Sequence, residues 1–128
     1  MREQPTGPEL LEAVAQFLRE EVLPQLSGRT AYHLRVAANA VDLVCRELLL
    51  GRAAGEGEAA RLAALLGQTG EPAALNRALC HAIASEAVDP ADPALIAHLW
   101  ATTLAAVAID QPSYATYRRE AEEPDAQP

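Results

Sequence analysis

Apolar residues along this chain recur at intervals of three and four and do not alternate, so the pattern predicts helices and no strands. Leu11, Val14, Ala15, Leu18 and Val22 form the first such series. Thr6-Gly7-Pro8-Glu9 stands before it as a capping box, with proline tolerated in the first turn. Pro24 cannot continue that helix undisturbed, which predicts a kink or an end near Leu23, a turn through Ser27-Gly28, and Thr30 as the cap of the next helix.

The longest pattern runs from Arg29 to Leu50. It carries Leu34, Ala37, Val41, Val44, Cys45 and Leu48 on a face expected to be core. On the other side Arg35, Asn39, Asp42 and Arg46 are spaced by four, three and four, so their side chains stack in one row. The row reads either as a network bonded within the molecule or as a docking stripe for a protein or ligand, arginine being suited to carboxylate and phosphate.

Gly51 is expected to end this helix, and the glycine-bearing segment 52–60 to form a mobile loop. A short helix around Leu62, Leu65 and Leu66 closes at Gly67 and Gly70. Pro72 opens another, with Leu75, Ala78, Leu79, Ala82 and Ile83 on one face, which stops before Asp89-Pro90. Asp92 followed by Pro93 caps a helix from Ala94 to about Ile109, expected to be too short to span a bilayer and to lie buried against residues 29–50. Together these elements predict an all-α bundle of about five helices in one domain over residues 1–128, with 1–5 and 120–128 disordered.

Composition narrows the function more than the fold. The 128 residues suit one domain, and a formal net charge of −8 with every basic residue an arginine gives nucleic acid no electrostatic footprint. The N-terminus lacks the layout of a signal peptide, so a cytoplasmic protein is expected. Cys45 and Cys80 are too few for a disulfide framework and are expected to be buried, reduced thiols.

Candidate chemistry is sparse. His33, His81 and His98 lie on three different helices without metal-ligand spacing, and no nucleophile elbow or phosphate loop is present. No catalytic residue, metal or cofactor is therefore assigned. Tyr114, Tyr117 and Arg118 form a second candidate contact segment, from a residue mix enriched at interfaces, or else the tyrosines cap the bundle.

Three segments, PELLEAVAQFLREEVLPQL, GRTAYHLRVAANAVDLVCREL and AIDQPSYATYRR, resemble a family of small bacterial helical proteins of unassigned activity. Members of that family are encoded beside kinases of the aminoglycoside-phosphotransferase fold and beside acyl-CoA dehydrogenases. The resemblance implies a non-catalytic accessory subunit of a kinase that phosphorylates a hydroxyacyl-CoA in hydroxy-acid catabolism. The alternative is a helical protein with its own acyl-CoA or small-anion site. The alanine-rich faces also leave self-association open.

Overall fold

A computed structural model describes residues 4–122, and they build five α-helices without a strand among the described residues. Helix α1 spans Gly7–Phe17 and begins as the sequence dictates: Glu9 N donates to Thr6 Oγ1 and Thr6 N donates to Glu9 Oε2, each at 3.3 Å. Two of the amides that a helix start leaves without partners are satisfied by this exchange.

Pro24 acts on the turns that precede it. The backbone widens into a π-helical turn over Leu18–Val22, tightens to a 3₁₀ turn over Leu23–Gln25, and stops. A proline can donate no helical hydrogen bond, so the chain leaves the helix here, and the widened turn holds Arg19.

Helix α2 departs most from expectation. It runs unbroken over Gly28–Leu66, 39 residues, so the loop expected at 52–60 and the separate helix expected after it are both its continuation. Thr30 lies in the first turn and is not a cap. Gly51, Gly55 and Gly57 each cost helix propensity, roughly 1 kcal/mol apiece. Alanine, leucine, glutamate and arginine around them favour the helix, and Arg52 Nε donates to Glu56 Oε1 one turn on at 3.0 Å. The last turns are then fixed by packing, because Leu62 is fully buried. Gly67, at φ 66°, adopts the left-handed conformation that terminates α2, its N–H bonding the Ala63 carbonyl at 2.8 Å.

Helix α3, Pro72–Ala84, and helix α4, Pro93–Asp110, start at their prolines. Asp92 caps α4 by accepting from Ala94 N at 2.9 Å. Helix α5 covers Ala115–Glu122, so the disorder expected from residue 120 does not begin there; residues 1–3 and 123–128 lie outside the described residues.

The chain divides into two compact units, Met1–Gly51 and Arg52–Pro128. In the first, the buried residues are small: Ala15 of α1 and Ala31, Ala38 and Cys45 of α2, the latter three spaced by seven. Helix α1 runs antiparallel to the first half of α2, with Cys45 Sγ donating to the Pro8 carbonyl at 3.6 Å and Arg19 reaching Asn39 and Asp42. The face expected to be core is thus only partly so. Leu34 and Val41 are half-buried, but Ala37, Val44 and Leu48 are exposed, because close approach of two helices selects the alanine seam.

In the second unit Leu62, Leu75, Leu79 and Leu95 make the core, with Leu65, Leu66, Ile83 and Val88 packed around it. Helix α4 is long and apolar enough to cross a membrane by length and composition alone, contrary to expectation. Here it shares a core with α3 and the end of α2, burying Leu95, His98 and Ile109, while Ile96 and Leu99 stay exposed. It is not the buried central helix that its lack of charge predicts.

Nothing lies within 4 Å of the position a Gly55 Cβ would take. Gly55→Ala should therefore stabilise the protein by about 0.5–1 kcal/mol, read as a higher urea midpoint at unchanged m-value.

Candidate functional site

Of the row on α2, two members are held within the molecule. Arg19, carried by the π-helical turn, donates through Nη2 to Asn39 Oδ1 at 2.9 Å and to Asp42 Oδ2 at 2.6 Å. The alanine seam explains the arrangement: Arg35 and Asp42 flank Ala38 at three and four residues, so the row borders the α1 contact and does not lie opposite to it. Arg46 is half-buried and is also engaged, its charge acting on the Cys45 thiol. Arg35 is exposed.

Burial, reinforced by the carboxylates of Glu12 and Asp42, pushes the Cys45 thiol up from its ordinary range and outweighs Arg46. Cys45 is free and buried, as expected from the sequence, and its thiol stays protonated. Cys80 is exposed, because its place on α3 lies outside the Leu75, Leu79 and Ile83 stripe.

The Tyr114–Arg118 segment opens α5. Tyr114 and Arg118 are exposed and Tyr117 is half-buried. Both tyrosines line an apolar cleft of about 130 Å³ with Trp100, Leu104 and Val107 of α4, and the indole Nε1 of Trp100 is buried there without a hydrogen-bond partner.

A third cluster was not legible in sequence. His98 is the one buried polar side chain among the described residues. Arg61, near the end of α2, donates through Nε to His98 Nδ1 and through Nη2 to Thr102 Oγ1, both at 3.2 Å. His98 and Thr102 present one side of α4 because they are four residues apart. Burial, and then the Arg61 charge, hold the imidazole below its ordinary pKa, with Glu58 acting weakly in the opposite sense. His98 is therefore neutral near pH 7. Its Nδ1 accepts and its Nε2 carries the proton.

No local pattern pairs His98 with a partner, since Arg61 lies 37 residues away. One signal was available: Arg61 is the sole cation in the alanine- and leucine-rich stretch from 59 to 66. His33 and His81 are exposed, and no group of three potential metal ligands occurs among the described residues.

The fold defines a small all-α protein whose polar side chains cluster at two arginines, Arg19 and Arg61. The chain belongs to the family described as a domain of unknown function, DUF6285, whose model matches residues 24–114. That span takes in all of α2, α3 and α4, and so holds Arg61, His98 and Thr102 but not Arg19. No curated protein and no solved structure matches the chain.

Two outcomes follow from this geometry. The Arg19–Asp42 pair is 38% and 34% exposed, so solvent screens it. A double-mutant cycle with Arg19→Ala and Asp42→Ala should return a coupling of about 1 kcal/mol or less that shrinks with added salt. For His98, the unfolded chain takes up a proton near pH 6.5 while the folded chain resists it. Unfolding free energy should thus fall as the pH drops from about 7 towards 5.5, and His98→Gln should flatten that slope in chemical denaturation.

Proposed function

We propose that the chain is a non-catalytic accessory subunit, docking on a kinase of the aminoglycoside-phosphotransferase fold that acts on a hydroxyacyl-CoA. The observation that supports docking is the large apolar surface left open in the first unit. On α1, Leu10, Val14 and Phe17, spaced by four and three, are 53%, 47% and 55% exposed. On α2, Val44 and Leu48 form one exposed row and Tyr32, Val36 and Leu43 another.

Single exposed apolar residues are ordinary, but rows of them on both helices of one hairpin are characteristic of surfaces that a partner covers. Each covered Å² contributes about 25 cal/mol before the costs of association. Arg35 at the border of these rows supplies a polar rim. The identity of the partner is supported by the three segments through which the chain resembles a kinase-associated family, in a setting of acyl-CoA catabolism within the cytoplasm.

Co-expression with such a kinase should yield a complex in which hydroxyacyl-CoA phosphorylation exceeds that of the kinase alone. Replacing Val14 and Phe17 by Glu should weaken the complex at least tenfold, and Arg35→Ala should weaken it less, with helicity and melting temperature unchanged. A kinase that neither binds the chain nor responds to it would overturn the reading. So would undiminished binding by the Val14→Glu, Phe17→Glu variant.

A further inference from the structure

The first unit carries the residues of a helical core without enclosing them. Among its described residues no leucine or valine is buried, only Ala15, Ala31, Ala38 and Cys45. Two contacts fix the sides of the α1–α2 hairpin. Arg19 bonds Asn39 and Asp42 on one side, and on the other a Cβ at Gly7 would lie 3.8 Å from Leu48 Cδ1. Helical periodicity then sets Leu11, Val14 and Leu18 beside Leu34, Ala37, Val41, Val44 and Leu48 on the Leu48 side, and none of these is charged. Val14, Val44 and Leu48 are 47%, 50% and 56% exposed.

On α2 this stripe has coiled-coil spacing. Leu34, Ala37, Val41, Val44, Leu48 and Gly51 are separated by three, four, three, four and three residues, the a and d positions of a heptad. The seam lies about a quarter turn from the Ala31, Ala38 and Cys45 seam that meets α1. A helix in a four-helix bundle meets its two neighbours in this way.

The order of sizes along the seam identifies the helix that fits it. Laid antiparallel on a second copy, with the two-fold axis midway between Val41 and Val44, Leu34 meets the partner's Gly51, Ala37 the partner's Leu48, and Val41 the partner's Val44. The remaining layers repeat these by symmetry. Each layer sets a leucine on alanine or glycine, or valine on valine, the alternation that fills a core evenly. A shift of one heptad in either direction sets a leucine on Val44 and leaves Ala37 or Gly51 to face Val41. A seam shaped for an unrelated helix has no reason to complement itself.

We propose that the α1–α2 hairpin pairs with a second copy of this chain through this face, the two α2 helices antiparallel, to complete a four-helix bundle. Area and charge both support it. At 1.5 Å per residue the seam is about 26 Å long, and two helices of about 10 Å each give roughly 500 Å² per chain, or roughly 1,000 Å² in the pair, where specific interfaces begin. A net charge of −8 drives copies apart, and the uncharged stripe is where that repulsion is least. The exposed Glu47 side chain, 3.1 Å from the position of a Gly51 Cβ, turns outward to admit Leu34. The pairing is isologous and closes at two copies. It takes up the Val44 and Leu48 row, leaves Tyr32, Val36 and Leu43 for docking, and does not rest on the kinase assignment.

The test is sedimentation equilibrium on the full chain without a kinase. Twice the chain mass is expected, and Val44→Glu should sediment as a monomer of unchanged helicity. Ala37→Leu and Leu48→Ala should each raise the dimer dissociation constant at least tenfold. Combined, they should restore it to within about threefold of the original, because each layer again holds one leucine and one alanine. These variants decide the matter if Val44→Glu loses helicity. A wild type of any other mass, a dimer indifferent to Val44→Glu, or a double variant as weak as the single ones would each overturn the proposal. A dimer that binds no kinase would overturn the docking reading alone, and a monomer that binds one would overturn only the pairing.

Discussion

Everything distinctive in this protein depends on α2 remaining helical through Gly51, Gly55 and Gly57. The three glycines work against that stretch, and the packing beyond it works for it. Leu62 is fully buried in the second unit's core, and Leu65 and Leu66 pack against the same cluster. Fully burying one leucine contributes roughly 1.5–3 kcal/mol, so Leu62 together with the half-buried Leu65 and Leu66 offsets the roughly 1 kcal/mol that each glycine costs. Without those final turns Arg61 would have no fixed position, and α4 would lose the partner for His98.

The two arginine clusters make opposite use of the same side chain. Arg19 meets a carboxylate and an amide oxygen across a hairpin, and its charge is neutralised within the molecule. Arg61 meets an imidazole and a hydroxyl, which orient the guanidinium and leave its charge uncompensated. The first arrangement fastens two helices. The second joins the end of α2 to α4 through two neutral acceptors.

How much was legible follows from the range of each interaction. Thr6 with Glu9, Pro24, Pro72 and Asp92 with Pro93 are local signals, and the helix boundaries they predict are found. The all-α class was legible for the same reason. The continuity of α2 was not, because glycine punctuation is a local signal that distant leucines override. The row from Arg35 to Arg46 was placed opposite the core, since the larger apolar residues suggested the core and the alanines in fact formed it. The partners of Arg19 lie 20 and 23 residues on, beyond the reach of any local signal.

The two cysteines give the fold a consequence of a different kind. Cys80 is open to reagents, whereas Cys45 is enclosed, bonded to the Pro8 carbonyl and kept protonated between acidic neighbours. Alkylating reagents act on thiolate, so they meet one competent sulfur in the folded chain and two once the α1–α2 hairpin opens. The count of modified thiols is then a chemical clock for opening of the first unit.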